Sequence, residues 1–394
     1  MKCKICTNNN TVEVINLKKQ PLANKYPRNK TEIAKEVKYN LKVYYCKICK
    51  SAQISKLISR NIMFEDYYYL SSVNKKLVDH FNQLSTKLNK SNFVVDIGSN
   101  DGILLKPLKK AGVKAIGIDP SINVSKIANE KGYNTMVGFF DNNIIKKILK
   151  LYSKPDVLVA SSVMTHMKNP KQFAKNVSSF LIKGGRLILE IEYLYNFIKN
   201  LEFERFYFDR PFYYSIKSID LLFKSVGMSL IDVEKINVHG QSLRFIIVNE
   251  KNKIKSKRLL KLYKKENAQL NMNLFKVFNI KIIKEGRIFL NSLQKFRNEN
   301  KFVLGYGAPA RVATITNYLN INSNLIPNII DDSPLKQNRY TPGKHIKILN
   351  KKNIKYNKAN IVIVFAYEYF KEIKKHFKNT KVKFFKPIPF KELK

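Results

Sequence analysis

The sequence contains no tryptophan, only four cysteines in 394 residues, and few acidic side chains. It also lacks any apolar run near the roughly 18–20 residues that a membrane-spanning helix needs. Its first six residues, Met1-Lys2-Cys3-Lys4-Ile5-Cys6, lack the apolar core of a secretory signal. We therefore expect a cytoplasmic protein with no membrane partner, and the length suits two or three domains.

The shortage of acidic residues leaves a formal charge of +44, from 73 Lys and Arg against 29 Asp and Glu. A basic surface attracts phosphate, which favours a nucleic-acid partner. The lysines are, however, spread over the whole length among many Asn and Ile. We therefore favour the alternative without nucleic acid, in which lysine fills indifferent surface positions and helps to attract an anionic small substrate.

The cysteines form two Cys-x-x-Cys pairs, Cys3 with Cys6 and Cys46 with Cys49. Cytoplasmic chains do not keep disulfides, and two such pairs can surround one Zn²⁺ tetrahedrally. Because four thiolates close the coordination shell, we predict a structural zinc; a redox pair is the weaker alternative. The predicted zinc-binding module spans residues 1–62, with a short strand at Leu41–Tyr45.

Beyond this module, short apolar strands alternate with helical segments, which indicates a mostly parallel sheet covered on both faces. The predicted strands are Phe93–Asp96, Ala115–Asp119, Asp156–Ala160, Arg186–Glu190, Val226–Val233 and Ser242–Val248. Residues 63–252 are thus predicted to form a Rossmann-like α/β core.

The lysine-rich residues 253–300 carry apolar side chains at helical spacing, which predicts one or two connecting helices. The alternation then restarts at Phe302–Gly305 and continues at Ile326–Ile330 and Ala359–Phe365. The fold class is therefore α/β, and residues 253–394 are predicted to combine the helical connector with a second Rossmann-like domain.

The first core strand runs into the segment Asp96-Ile97-Gly98-Ser99-Asn100-Asp101-Gly102, which precedes a helix. Gly98 and Gly102 let the backbone turn tightly and approach a ligand. Asp119 ends the next strand, about twenty residues further along the chain. A carboxylate at this position can accept hydrogen bonds from both ribose hydroxyls of a bound nucleoside. The sequence does not match the G-x-G-x-x-G pattern of NAD sites. The acidic form with Asp119 is typical of S-adenosylmethionine (SAM) methyltransferases, with a structural turn or another nucleotide as the alternatives.

The predicted SAM site places Asp96 at the methionine end and adds the residue that closes the third core strand, Ala160. Phe139 and Phe140 either pack near the adenine or serve as core aromatics. The cofactor-binding residues are thus predicted to be Asp96, Gly98, Asn100, Asp101, Gly102, Asp119, Phe139, Phe140 and Ala160, with Tyr67 from the aromatic run below.

Several segments together resemble the sugar C-methyltransferase family. They are Pro21-Leu22-Ala23-Asn24 between the cysteine pairs, Asp66-Tyr67-Tyr68-Tyr69-Leu70-Ser71-Ser72, His239-Gly240-Gln241-Ser242-Leu243-Arg244, Gly305-Tyr306-Gly307-Ala308-Pro309-Ala310, and the run from Lys336 to Ile346. The resemblance covers nearly the whole chain. It implies a zinc-binding N-terminal domain, a SAM-dependent core, and a TDP- or GDP-linked deoxyketosugar as substrate.

The resemblance also implies the chemistry: a base removes a proton beside a keto group, and the enolate attacks the SAM methyl group. His166 matches a histidine found at this place in the family. It could orient or deprotonate the sugar; the alternative is that it is a loop histidine with no catalytic role. Tyr67 and Tyr69 are either hydrogen-bond donors over the sugar or a packed aromatic lid.

One segment departs from the family pattern. The family's Y-H-E-H element is here Tyr207-Phe208-Asp209-Arg210, so Tyr207 is kept, Asp209 replaces Glu and Arg210 replaces the final His. Arg210 cannot accept a proton at neutral pH, although it can hold an enolate or a phosphate. The base is then His166 or Tyr207, unless the acceptor is a hydroxyl or an amine.

In the C-terminal domain, Gly305-x-Gly307-x-x-Ala310 and the carboxylates Asp331-Asp332 would alone suggest a dinucleotide. The resemblance implies instead a degenerate Rossmann domain that holds the nucleotide-sugar; its 339–345 loop either contacts the substrate or only stabilises the domain. The predicted substrate contacts are His239, Arg244, Tyr306, Arg339, Tyr340, Lys344 and His345. Competing functions are a methyltransferase for RNA or another large anion, and a non-catalytic protein that binds SAM or a sugar nucleotide.

Overall fold

The computed structural model describes residues 1–59, 70–238, 240–378 and 380–394. Three residues with predicted roles, Tyr67, Tyr69 and His239, lie outside these ranges. Within the described ranges, the search for a helix with the length and apolarity to cross a membrane finds none.

The N-terminal module is an antiparallel sheet in the order β1-β2-β3-β9. Its strands are β1 (Thr11–Gln20), β2 (Tyr39–Cys46), β3 (Ala52–Ile54) and β9 (Phe212–Tyr213), and the short helix α1 (Lys30–Ala34) connects β1 to β2. The predicted strand at Leu41–Tyr45 lies inside β2. Thr11 pairs with Cys46 at one end of the β1–β2 ribbon and Gln20 pairs with Tyr39 at the other, so the ribbon leads away from the cysteines.

The central sheet has seven strands in the order β10-β11-β8-β7-β4-β5-β6. They are β4 (Phe93–Ile97), β5 (Lys114–Asp119), β6 (Thr135–Val137), β7 (Val157–Ser161), β8 (Arg186–Ile191), β10 (Ser229–Ile236) and β11 (Ser242–Val248). Strands β4 to β8 are parallel, whereas β11 runs antiparallel to both β8 and β10. This confirms the Rossmann-like core, although β10 begins three residues after its predicted start.

Helices cover this sheet and bury one apolar stripe each. They are α2 (Lys75–Thr86), α3 (Leu105–Lys110), α4 (Ile122–Glu130), α5 (Asn142–Leu151), α6 (Pro170–Phe180), α7 (Leu194–Lys199) and α8 (Ile216–Lys224). Asn74 begins α2 as its N-cap, because its side chain accepts hydrogen bonds from the Lys76 and Leu77 amides. Strand β4 is buried along its whole length and forms the centre of the core.

The predicted connector consists of two helices, α9 (Lys257–Gln269) and α10 (Met272–Asn298). They lead to a six-stranded sheet in the order β14-β13-β12-β15-β16-β17. Its strands are β12 (Val303–Tyr306), β13 (Asn328–Ile330), β14 (Lys347–Leu349), β15 (Ile361–Val364), β16 (Lys383–Lys386) and β17 (Lys391–Leu393). All but β17 are parallel, and the helices α11 (Arg311–Tyr318) and α12 (Phe370–Lys375) complete a second Rossmann-like unit.

Short 3₁₀ turns complete the described elements, at Ser71–Val73, Met164–His166, Phe203–Arg205, Lys351–Asn353, Tyr356–Lys358 and Tyr367–Tyr369. The three units of the chain are joined by direct contacts. Strand β9 belongs in sequence to the central region but pairs with β3 of the N-terminal sheet. The Tyr340 amide of the C-terminal unit donates to the Pro27 carbonyl of the N-terminal module (2.9 Å). The N-terminal module therefore lies against both larger units.

Candidate functional site

The four cysteine sulfurs form one cluster in which all Sγ atoms lie within 4.8 Å of one another. Cys3 and Cys49 are 3.7 Å apart, and Cys6 and Cys46 are 3.6 Å apart. A zinc ion with four Zn–S bonds of about 2.3 Å requires sulfurs about 3.8 Å apart. The thiols are free, and hydrogen bonds from Cys46 and Cys49 lower the pKa of Cys3, which favours a thiolate. The donor set therefore fits a structural Zn²⁺.

The two cysteine pairs have the same local geometry. The Thr7 amide donates to the Cys3 carbonyl (2.9 Å), and the Lys50 amide donates to the Cys46 carbonyl (2.8 Å). Thr7 and Lys50 both adopt a left-handed conformation, with φ of 63° and 60°. Each turn thus folds its pair of sulfurs toward the same point.

At the carboxyl edge of the central sheet, the loop after β4 is joined to the end of β5. The Gly98 amide donates to the Ile118 carbonyl (2.7 Å), and the Asn100 amide donates to Asp119 Oδ2 (3.0 Å). The other oxygen of Asp119 accepts from the Ser121 amide (2.9 Å). Gly98 has a φ of +76°, and a Cβ atom there would lie 2.3 Å from Val163 Cγ2. Bare backbone is therefore required where the loop passes the crevice.

The C-terminal sheet repeats this construction. The Gly307 amide donates to the Ile330 carbonyl (2.7 Å), and the Ala308 amide donates to Asp331 Oδ2 (2.6 Å). The other oxygen of Asp331 accepts from the Ser333 amide (2.8 Å). Each half of the chain thus has a glycine loop bonded to an acidic residue at the end of the neighbouring strand.

Both glycine loops open into a single cavity of about 1100 Å³. The predicted residues that line it are Asp96, Gly98, Asn100, Asp119, Phe139, Phe140, His166, Tyr207, Asp209, Arg210 and Tyr306. Among the described residues of its wall, eight Lys and Arg side chains face eight Asp and Glu side chains. The surface excess of positive charge is therefore not continued inside the cavity.

Burial sets the protonation of the carboxylates at the cofactor crevice. Burial, together with the charges of Asp119 and Glu190, raises the pKa of Asp96 to about 8. Burial also raises the pKa of Asp119, against the two backbone hydrogen bonds that lower it. Asp96 therefore differs from an ordinary surface carboxylate in holding its proton up to near-neutral pH.

His166 and the Tyr207–Arg210 segment meet at another wall of the cavity. His166 Nδ1 lies 2.6 Å from the backbone carbonyl of Asp209. The Arg210 guanidinium forms a buried ion pair with Glu192. Burial raises the pKa of Tyr207 to about 12 and also raises that of Asp209. These contacts bring a histidine, a phenol and a carboxyl group together at one place.

Three other predicted cofactor residues lie behind the loop, outside the cavity wall. Asp101 accepts hydrogen bonds from the Ser72 amide (3.2 Å) and hydroxyl. A Cβ atom at Gly102 would lie 2.5 Å from the Tyr133 ring. Ala160 is fully buried within β7. These three positions therefore support the loop rather than line the space beside it.

Arg244 was predicted to contact substrate, but the structure places it in a buried charge network. Its guanidinium pairs with Glu190 and Glu234 (2.7 and 2.9 Å), and His80 Nε2 reaches Glu190 (2.8 Å). Burial would raise the pKa of Glu190, but the His80 hydrogen bond and the Arg244 charge lower it below its usual value. Ser161 also donates to this carboxylate (2.8 Å). Arg244 thus compensates a charge inside the core.

The other predicted substrate residues at 339–345 lie outside the cavity wall, and Arg339, Tyr340 and His345 contact the N-terminal module. Arg339 Nη1 approaches the Tyr26 carbonyl (3.4 Å), and His345 Nε2 lies 3.0 Å from Glu36 Oε2. The Tyr340 amide bonds Pro27, as described above, and the Lys344 ammonium reaches Asn320. This geometry agrees with the domain-stabilising alternative.

Sequence reasoning missed several residues of the cavity wall, among them Glu192 and Asn24. Glu192 directly follows β8, so its place at the carboxyl edge of the sheet could have identified it. Asn24 donates from Nδ2 to Asp209 Oδ2 (2.6 Å) across 185 residues of sequence. Its position in the Pro21–Asn24 match to the family was an available signal.

Comparisons with known proteins agree with this architecture. Three family models match in succession: a zinc binding domain at residues 3–64, a methyltransferase domain at 69–233, and a C-methyltransferase C-terminal domain at 237–389. The C-methyltransferase NovU of Streptomyces niveus is 23% identical over 98% of this chain and 95% of its own length.

Other relatives match a smaller part of the chain. The ubiquinone biosynthesis O-methyltransferase of Coxiella burnetii is 22% identical over 38% of this chain and 69% of its own length. Among solved structures, magnesium protoporphyrin IX methyltransferase of Synechocystis with bound SAM covers 44% of this chain and 78% of its own, at 18% identity and a TM-score of 0.34. With its three domains matched in order and NovU matched over nearly the full length, the chain is similar throughout to C-methyltransferases and is a SAM-dependent methyltransferase with an N-terminal zinc module.

Proposed function

We propose that the chain transfers a methyl group from SAM to a carbon of a nucleotide-linked deoxyketosugar, beside its keto group. The observation that carries this proposal is the single cavity shared by two crevices of the same construction. One of the two crevices would bind the nucleoside part of SAM. A second crevice at the same cavity supports an acceptor that brings a nucleotide of its own, with its sugar placed between the two sites.

The crevice of the central sheet is the proposed SAM site. Asp119 ends β5, where its carboxylate can accept the ribose hydroxyls, and the bare backbone at Gly98 allows close approach. Asp96 faces the same cavity and would pair with the ammonium group of the methionine end. SAM, when bound, supplies an electrophilic methyl group on sulfonium.

The C-terminal crevice is the proposed site of the substrate nucleotide. Asp331 would accept ribose hydroxyls, and Tyr306 lines the same wall. Helix α11 begins at Arg311, and Pro309, Ala310 and Arg311 line the cavity, so the positive end of the helix dipole would favour a phosphate there. Lys336 lies at the loop and donates to the Ala308 carbonyl (3.0 Å), which adds a cation there. This is the chemistry that a nucleoside diphosphate requires.

His166 is the proposed base. A carbonyl oxygen can only accept a hydrogen bond, so Nδ1 carries the proton toward Asp209 and Nε2 is the nitrogen that can accept one. Tyr207, with its pKa of about 12, stays protonated at neutral pH and can donate to the enolate oxygen. The Arg210 guanidinium lies 5.3 Å from the Tyr207 ring and adds positive charge at this wall. The residues thus divide into a base and an enolate-stabilising pair.

Product analysis tests the proposal. The zinc-loaded full chain would be incubated with methyl-labelled SAM and with TDP- and GDP-linked 4-keto-6-deoxysugars. We expect one S-adenosylhomocysteine for each label that NMR locates on a sugar carbon. Turnover should be lost in His166→Gln and slowed by about 10²–10³-fold in Tyr207→Phe, which lacks the hydroxyl that donates to the enolate oxygen. Label on oxygen or nitrogen, or no transfer to any sugar nucleotide of the panel, contradicts the proposal.

A further inference from the structure

A loop of the zinc module enters the active-site cavity. After β1, residues 21–26 turn back, and the Lys25 amide donates to the Leu22 carbonyl (3.1 Å). Ala23 is buried against Tyr207 and Ala313, on the two larger units of the chain. The Tyr26 hydroxyl donates to the carbonyl of Ala308, in the second glycine loop (2.8 Å). The module therefore reaches both halves of the proposed site.

Asn24, in this loop, bonds the side chain of Asp209, the residue whose backbone carbonyl contacts His166. Asn24 Nδ2 donates to Asp209 Oδ2 (2.6 Å), and the Asp209 residue is only 2% exposed. The other oxygen, Oδ1, is buried and has no hydrogen-bond partner among the described residues. Burial raises the pKa of Asp209, and the Asn24 amide opposes this shift. Asn24 thus holds a side chain that is costly to bury.

Asp209 also holds His166, through its backbone. The Asp209 carbonyl lies 2.6 Å from His166 Nδ1. Asp209 therefore accepts a hydrogen bond from Asn24 at its side chain and one from His166 at its backbone. The Arg210 amide donates to the Tyr207 carbonyl (3.1 Å), which makes this segment a tight turn. We infer that loss of the Asn24 bond would release the buried Asp209 side chain and loosen the turn whose carbonyl accepts from His166.

We propose that Asn24 is a positioning residue for His166. It acts from the zinc module through Asp209 and keeps the proton of neutral His166 on Nδ1. The inference rests on the proposed role of His166 as the base.

The linkage from metal to histidine is mechanical rather than electrostatic. The ten residues of β1 separate the cysteine cluster from the loop, which is about 30 Å at roughly 3.3 Å per residue. This distance is nearly four Debye lengths of about 8 Å at physiological salt, so the charge of the ion is largely screened. Instead, the paired strands β1 and β2 connect the cysteine cluster to the 21–26 loop, so a change in the fold at the cysteines would displace the loop.

Histidine NMR tests the inference without any sugar substrate. The full chain has five histidines, so ¹⁵N-histidine labelling of the zinc-loaded protein gives few signals, and His166→Gln assigns the one of interest. We expect the neutral His166 of the wild type to carry its proton on Nδ1. In Asn24→Ala we expect a mixture of tautomers, and about tenfold or greater loss of kcat with KM and SAM affinity retained. Asn24→Gln keeps the amide donor and should partly restore both readouts.

Asn29→Ala is the matched control. Asn29 belongs to the same module, but its side chain caps α1 by accepting from the Glu32 amide (2.9 Å). This variant should keep the wild-type His166 signal and kcat. If Asn24→Ala fails to fold, the same spectrum of Asn24→Leu, which keeps the side-chain volume and lacks the amide donor, decides.

The outcomes separate this inference from the proposed function. A His166 signal and kcat unchanged by loss of the Asn24 amide, or a wild-type proton on Nε2, overturns the inference. A tautomer that depends on Asn24, in a protein that methylates no sugar nucleotide, would support the positioning role and reject the proposed substrate.

Discussion

The two matched carboxylates, Asp119 and Asp331, allow the two crevices to be tested separately. Each accepts one backbone amide on each oxygen: Asn100 and Ser121 for Asp119, and Ala308 and Ser333 for Asp331. Substitution by Asn keeps the shape but replaces one acceptor oxygen by an NH₂ donor. That donor must face a backbone N–H, so one buried hydrogen bond is lost in either variant.

The size of both effects follows from these contacts. A buried donor left without its acceptor costs about 1–3 kcal/mol, so the free energy of unfolding should fall by about this amount in both variants. In the complexes, one ribose hydroxyl loses a charged acceptor, which is worth about 1.5–3 kcal/mol. Since about 1.4 kcal/mol is a factor of ten, the ligand of the altered crevice should bind roughly ten- to a hundredfold more weakly.

Calorimetry with S-adenosylhomocysteine and steady-state kinetics with the sugar nucleotide measure the two ligands. Asp119→Asn should weaken the cofactor and leave the KM of the sugar nucleotide near the wild-type value. Asp331→Asn should do the reverse, although both variants lose similar stability. Equal weakening of the cofactor by both substitutions would refute the assignment of one ligand to each crevice.

Two further predictions concern the buried carboxylate of the cofactor site and the metal. Burial first, and then the charges of Asp119 and Glu190, raise the pKa of Asp96 to about 8, above its unfolded value of about 3.9. Its stabilising contribution is therefore complete below about pH 4 and is lost as pH rises through about 8. Between these values the free energy of unfolding of the wild type should fall by at most about 1.4 kcal/mol per pH unit because of this group. Urea unfolding of Asp96→Asn, measured over the same pH range, should lack this contribution. Elemental analysis should find one zinc per wild-type chain; Cys46→Ser should lose it and melt at a lower temperature, because the ion contributes directly to folding.

Much of the fold was predictable because its signals are local. The apolar runs that become β4, β5 and β8 lie between turn residues, and the predicted ends agree with the observed ones to within about one residue. Strand β9 escaped prediction because two residues, Phe212–Tyr213, are too short to show a pattern. Its pairing with β3 depends on contacts about 160 residues away in sequence.

The candidate site divides in the same way. Gly98 and Asp119 follow directly from the order strand, loop, helix, strand, so their place at the sheet edge could be foreseen. The partners of Asn24 and His345 could not, because each lies on an element whose neighbour is set only by the packing of the domains. The partner of Arg244 could not either, because it depends on the register between β11 and β8. For Arg244 the sequence shows a charge but not the buried acidic residue, Glu190, that it compensates.

The balance of charge in the cavity wall, within a chain of formal charge +44, separates encounter from recognition. An anionic substrate such as the proposed sugar nucleotide would be drawn by the positive field of the outer surface, and added salt would weaken that field. Once inside, it meets paired charges, so its fit depends on the placement of individual donors and acceptors. Ionic strength should therefore govern how often a substrate arrives far more than how well it is held.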